Sequence, residues 1–257
     1  MSVQLNDAGV VVTGAARGIG EALARRFAAA GARLVLTDVD ELVTSVATEL
    51  GAKAVVGDVT EPADMITQAR AELGEIDLFC ANAGIAPLGA EDTPEDVWAN
   101  AWNVNVMAHI RAANALLPAW LERGRGHFLA TVSAAGLLTS LGSAPYSVTK
   151  HGALAFAEWL SATYRHRGIG VQALCPQGVR TRMYEQTGAG GQLLMGPSLI
   201  EAPQVADLVA EKLATDEFLI LPHPEVAEYY TNRATQTDRW LAGMNKLQQK
   251  VEQLGPQ

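Results

Sequence analysis

The sequence predicts an α/β fold: a doubly wound parallel sheet of about seven strands, with helices on both faces, in a single domain over residues 1–257. Three observations predict it. Short apolar runs such as Val10-Val11-Val12 and Leu34-Val35-Leu36 lack polar alternation, so both faces of each strand must be covered, as in parallel sheets. Longer segments of helical period separate these runs, which is the pattern of right-handed strand–helix–strand crossovers. A glycine cluster (Gly14, Gly18, Gly20) lies where the first strand gives way to the first helix.

Strands are expected over 9–13, 32–37, 52–57, 76–81, 126–133, 170–175 and 217–221. Helices are expected over 18–30, 39–50, 62–73, 93–123, 146–167 and 205–215. Thr93 reads as a helix N-cap, followed by Pro94 at the first helical position and an acid, Asp96, at the third. Pro118 is expected to kink the last turns of that helix. Residues 177–203 carry Gly188, Gly190, Gly191 and Gly196 and read as an irregular substrate lid, since a loop that long in a compact domain is usually functional. Residues 223–257 read as a polar C-terminal helical extension.

Composition excludes several classes. Hydrophobic residues make up 49% and charged residues 18%, which rules out a disordered chain. The net charge of −9 argues against nucleic-acid and anionic-membrane partners. Two cysteines, Cys80 and Cys175, are too few for a disulfide framework. The N-terminal residues lack a basic segment followed by a long apolar core, and no apolar run reaches a membrane span. These features give the expectation of a soluble, cytoplasmic protein. The five histidines and two cysteines show no metal-ligand spacing, so no metal is expected.

Thr13-Gly14-Ala15-Ala16-Arg17-Gly18-Ile19-Gly20 joins a buried strand to a helix. Gly14 permits the sharp turn, Gly18 lets the helix N-terminus approach a pyrophosphate, and Gly20 allows close helix–strand packing. Such a turn is the Rossmann pattern for a dinucleotide, and the chain lacks the lysine of a P-loop. Asp38, at the end of the second strand, places a carboxylate where it can bind ribose hydroxyls and repel a 2′-phosphate. Arg17 points the other way, since a basic residue could pair with that phosphate. The carboxylate opposes the phosphate directly, so NAD is the expected cofactor and NADP the alternative.

Tyr146 and Lys150 are four residues apart and share one helix face. A free tyrosine titrates near pH 10, so a neighbouring ammonium and a positive nicotinamide ring are needed to make it a base at neutral pH. It could then take an alcohol proton while hydride leaves the carbon. Ser133, at the end of its strand, can hydrogen-bond the same oxygen.

Thr13-Gly14-x-x-x-Gly18-x-Gly20, Asn82-Ala83-Gly84, Asn105, Ser133 and Tyr146-x-x-x-Lys150 occur in that order. Together they resemble the short-chain dehydrogenase/reductase family, in its compact common type, over about residues 10–183. The resemblance implies that Lys150 also holds the nicotinamide ribose and that Asn105 positions a water in a proton relay. It implies cofactor contacts from Arg17, Ile19, Asp58, Val59, Asn82, Ala83, Gly84, Pro176, Val179 and Thr181. It also implies a homodimer or homotetramer built on the helices that begin near 93 and 146. The chain departs from the family at Cys175-Pro176-Gln177-Gly178, where the usual proline-glycine is interrupted by an amide side chain.

Leu88, Leu137, Leu138, Leu141, Met183, Tyr184, Leu193, Leu194 and Met195 fall in segments expected around the substrate, which makes it a small hydrophobic alcohol or ketone. Two alternatives stand beside an NAD-dependent alcohol dehydrogenase. One is a 3-oxoacyl-thioester reductase using NADPH, favoured by Arg180 and Arg182 and opposed by Asp38 and the acidic charge. The other is a non-catalytic NAD-binding sensor, opposed by the presence of Ser133, Tyr146 and Lys150.

Overall fold

The computed structural model describes residues 2–187 and 198–253. Seven parallel strands form the central sheet: β1 (Gly9–Thr13), β2 (Arg33–Asp38), β3 (Lys53–Val56), β4 (Leu78–Ala81), β5 (Gly126–Thr131), β6 (Ile169–Leu174) and, numbered last in the chain, β9 (Leu219–Ile220). Their spatial order is β3-β2-β1-β4-β5-β6-β9. The order reverses between β1 and β4, so a crevice opens at the carboxyl ends of these two strands. Helices α1 (Gly18–Ala29), α2 (Leu42–Leu50) and α3 (Pro62–Leu73) connect the first four strands. The uninterrupted apolar strands have the expected reason: Val11, Phe79 and Phe128 pack into one core, and Val10, Val12, Leu78 and Leu129 into another on the opposite face.

The long helix expected from Thr93 is instead built in three pieces. Helix α4 (Glu95–Trp102) has Pro94 at its N-cap and no side-chain cap, so Thr93 lies outside the position assigned to it. A π turn over Asn103–Met107 follows, then α5 (Ala108–Arg123), which runs through Pro118 without ending. The carbonyl that Pro118 leaves without a donor belongs to Asn114, an exposed residue that water can serve. The break in the α-helical bonding pattern falls at the π turn that contains Asn105; π turns of this kind are frequent at functional sites.

After β5 comes a short helix α6 (Ala134–Leu137), then α7 (Ala144–Tyr164), which carries Tyr146 and Lys150. The stretch 177–203 is not irregular throughout. It contains β7 (Val179–Arg180) and α8 (Arg182–Glu185), and β8 (Ile200–Glu201) pairs in parallel with β7. The four lid glycines and Leu193, Leu194 and Met195 lie outside the described residues. Helix α9 (Ala202–Lys212) starts earlier than expected, because Pro203 sits in its first turn, where a missing N–H is harmless, and a Glu201–Gln204 capping box closes its end. The C-terminal extension is two helices, α10 (Glu225–Thr235) and α11 (Thr237–Glu252), broken at Gln236.

Candidate active site

The glycine turn is stitched to the adjacent strand end. Thr13 Oγ1 accepts the Asn82 and Ala83 N–H groups at 2.9 and 3.0 Å and donates to the Cys80 carbonyl at 3.1 Å. Asn82 Nδ2 donates back to the Thr13 carbonyl at 3.0 Å and the Gly14 carbonyl at 3.3 Å. Gly14 has φ +65°, and a Cβ on Gly20 would lie 2.0 Å from the Gly14 oxygen. Only glycine fits at either position. Arg17, the N-cap of α1, makes no side-chain cap hydrogen bond, so the first-turn N–H groups and the helix dipole are available to an anion. A Cβ on Gly18 would meet the Thr181 methyl at 3.2 Å, which places the 179–181 turn against the glycine loop. These features fit a dinucleotide pyrophosphate.

Asp38 serves as more than a helix cap. One carboxylate oxygen accepts the Ala16 N–H and the other the Asp40 N–H, each at 3.0 Å. The following helix has Glu41 as its N-cap, and its first residue is held by Asp40, which accepts the Leu42 N–H at 3.0 Å. Arg17 forms an ion pair with Asp40. The Leu42 N–H, and then the Arg17 guanidinium, hold the Asp40 carboxyl below its ordinary pKa. Asp58 caps its own turn, accepting the Thr60 N–H at 2.8 Å. Val59 lines a cavity of about 10 Å3 with Thr13, Ala83 and His109.

Lys150 is buried, 3% exposed, and its Nζ donates to the Thr131 carbonyl at 3.0 Å. It lies 5.7 Å from the centroid of the Tyr146 ring. Burial pushes its pKa down to about 8. Tyr146 titrates above its ordinary value: burial raises it, while a hydrogen bond with Ser133 pulls the other way. The expected lowering calls for the positive nicotinamide ring as well as the lysine. Lys150 faces the ring rather than bonding its oxygen, and removing the phenol from water outweighs what the chain's own groups supply. Ser133 Oγ accepts the Ala135 N–H at 3.1 Å and lies 3.4 Å from the Pro176 carbonyl, so the strand end fixes its orientation.

Asn105 is fully buried. Its Oδ1 accepts the Ile85 N–H at 2.9 Å, and its Nδ2 donates to the Ile85 carbonyl at 2.9 Å and to Thr149 Oγ1 at 3.0 Å. The side-chain amide thus ties the 82–85 segment to α7 and is occupied by these contacts. A Cβ on Gly84 would lie 3.1 Å from Asn105 Oδ1 and 3.4 Å from Lys150 Nζ, so these three residues converge. Among the described residues no group of three or more His, Cys, Asp or Glu could hold a metal ion.

Three histidines have roles that sequence reasoning missed. His109, one turn beyond Asn105, is buried with both ring nitrogens unpartnered. His151 donates from Nδ1 to the Ser147 carbonyl at 2.8 Å and accepts from Arg233 of α10 at 3.0 Å. His223 accepts the Gln177 N–H. The only sequence signal for His223 is its place between Pro222 and Pro224. Gln177 keeps its Oε1 buried without a partner.

Comparison with known proteins decides the family. A family profile described as short chain dehydrogenase matches residues 8–191. The chain is a short-chain dehydrogenase. Among relatives of this dehydrogenase is 1-deoxy-11-beta-hydroxypentalenate dehydrogenase from Streptomyces exfoliatus, 38% identical over 240 residues, covering 87% of this chain and 86% of that protein. Oxidoreductase UcpA of Escherichia coli is 34% identical over 185 residues, covering 68% of this chain and 70% of that one. A short chain dehydrogenase/reductase from Burkholderia phymatum, solved in complex with NAD, superposes with a TM-score of 0.83 at 26% identity, covering 92% of this chain and 96% of that one. The dehydrogenase is an NAD(P)-binding oxidoreductase of Rossmann fold. Among its described residues no helix is long and apolar enough to cross a membrane.

Proposed function

We propose that this short-chain dehydrogenase uses NAD to interconvert a hydrophobic secondary alcohol and its ketone. The observation that carries the reading is the meeting of Ser133, Tyr146 and Lys150: Lys150 Nζ stands 5.7 Å from the Tyr146 ring centroid, and Ser133 is close enough to the phenol to pull its pKa down against burial. When bound, the nicotinamide supplies the hydride chemistry. Gly14, Arg17, Gly18, Ile19 and Gly20 would hold its pyrophosphate, Asp38 the adenosine ribose, and Asp58, Val59, Asn82, Ala83, Gly84, Pro176, Val179 and Thr181 the rest. Ser133 holds the substrate oxygen. Tyr146 takes the alcohol proton in oxidation and returns it in reduction. Lys150 carries positive charge next to Tyr146 and would hold the nicotinamide ribose. Asn105 acts by pinning the 82–85 segment against α7 rather than by spending its side chain on a water.

Support for NAD over NADP is electrostatic. Arg17, the basic residue that would receive a 2′-phosphate, is already paired with Asp40, and Asp38 holds a second carboxylate beside it. A solved relative binds NAD, and another relative is named for a hydroxylated substrate. The acyl-thioester reading loses one of its two arginines, since Arg180 pairs with Glu201 at 2.7 Å. A homo-oligomer is supported by the large apolar side chains that α4 and α7 leave exposed, Trp102, Val148 and Trp159. The test is reduced-cofactor formation across secondary alcohols with NAD and NADP in parallel. Oxidation of apolar substrates with NAD supports the reading, and activity confined to NADP and acyl thioesters overturns it.

A further inference from the structure

His223 is 2% exposed and saturated with hydrogen bonds. Its Nδ1 lies 3.1 Å from the Gln177 main-chain nitrogen. A main-chain N–H only donates, so Nδ1 is the unprotonated acceptor and the proton sits on Nε2. Nε2 then donates to two carbonyls, Gly178 at 3.1 Å and Ser198 at 2.8 Å. One neutral imidazole therefore joins the C-terminal extension to both flanks of the 179–197 segment. Pro224 follows it directly, and the Val226 N–H closes a turn onto the His223 carbonyl at 3.0 Å, so the ring projects from a stiff piece of chain.

The residues held by this ring lead straight to the site. The Gly178 carbonyl also accepts the Ile200 N–H at 3.1 Å, which starts the β7–β8 pair. Thr181, at the end of that pair, lies against Gly18. On the other side of Gln177, the Pro176 carbonyl accepts the Ala134 N–H at 2.8 Å and faces Ser133 Oγ. A displacement at His223 is thus passed to the residue that holds the substrate oxygen and to the turn resting on the glycine loop.

We propose that His223 is a positioning residue for substrate recognition: it clasps the Gln177–Gly178 turn to Ser198 and so sets the shape of the wall beside Ser133, without touching the reacting atoms. The substrate selected is one bulky enough to reach that wall. This rests on the proposed alcohol-dehydrogenase reading for its kinetic arm alone. A glutamine offers one acceptor and one donor on a similar reach, so His223→Gln should keep part of the clasp and His223→Ala none.

The experiment measures hydrogen exchange in the full chain over 177–187 and 198–212, together with kcat and KM for a small and a bulky secondary alcohol. In His223→Ala, exchange should quicken about tenfold or more at both segments and stay unchanged in β1 and β5, with His223→Gln between it and wild type. KM for the bulky alcohol should rise about tenfold or more, while kcat for the small alcohol stays within about threefold. Quickened exchange at one segment or neither, or equal losses on both alcohols, overturns the proposal. If His223→Ala exchanges rapidly throughout, His223→Gln decides: protection at both segments supports the clasp, and its loss at either overturns it. If wild type oxidises no alcohol, the functional reading fails and the exchange arm still decides the clasp.

Discussion

His109→Leu should remove a measurable part of the protein's acid sensitivity. His109 is 2% exposed, both ring nitrogens lack a partner, and its ring meets Phe128 edge-on at 6.1 Å. Burial, and then the charge of Lys150, push its pKa down to about 3 from 6.5. A group whose folded pKa is depressed contributes fully above its unfolded pKa and loses that contribution as pH falls towards the folded value. Between about pH 7.5 and pH 5 the unfolded chain gains a proton that the folded chain refuses. One and a half units below 6.5, at about 1.36 kcal/mol per unit, is about 2 kcal/mol. His127, depressed to about 4 by burial, acts with the same sign in both proteins and cancels from the comparison. Leucine also removes a buried polar ring, so the variant should be at least as stable at pH 7.5. Urea denaturation of both proteins at the two pH values gives the answer. A stability loss on acidification smaller by about 2 kcal/mol in the variant supports the argument, and an equal loss in both would refute it.

Three further outcomes follow from the site. Asp38→Ala, which also frees the Ala16 and Asp40 N–H groups, should weaken NADH binding about tenfold or more and narrow the preference over NADPH, read by fluorescence titration; unchanged preference would return the choice of cofactor to Arg17. Gly20→Ala should abolish NADH binding because its Cβ meets the Gly14 carbonyl, while Gly57→Ala, with open space around it, should bind normally. Lys150→Met should abolish turnover yet raise stability near pH 7. The buried lysine's pKa lies at about 8 against 10.5, so its contribution is full above 10.5 and is lost as pH falls through 8, worth up to about 3 kcal/mol in urea titrations.

The sheet was legible because parallel strands buried on both faces leave no polar alternation, and Val10-Val11-Val12 carries that mark without help from the rest of the chain. The glycine turn was legible because positive φ and close approach at Gly14 and Gly20 have no other solution. Local rules failed where tertiary contacts decide. Thr93 has the composition of a cap, yet the helix starts one residue after Pro94. The π turn around Asn105, whose amide reaches Ile85 and Thr149, has no local signal in the sequence, whereas Pro118 stands inside a continuous α5 with its stranded carbonyl on the exposed Asn114. His223 is 46 residues from Gln177 and 25 from Ser198, and no spacing rule joins partners so far apart. The tyrosine's titration depends on burial, which a sequence motif does not report.

The most direct test of the account is Tyr146→Phe, measured for turnover of a secondary alcohol and for NADH binding on the same preparation. The ring and its packing over Lys150 survive, and only the transferable proton is removed. General acid–base catalysis contributes about 10²–10⁴-fold, so turnover should fall at least about a hundredfold while the NADH dissociation constant stays within about threefold. A variant that keeps more than about a hundredth of the wild-type rate would contradict the assignment of Tyr146 as the group that moves the proton.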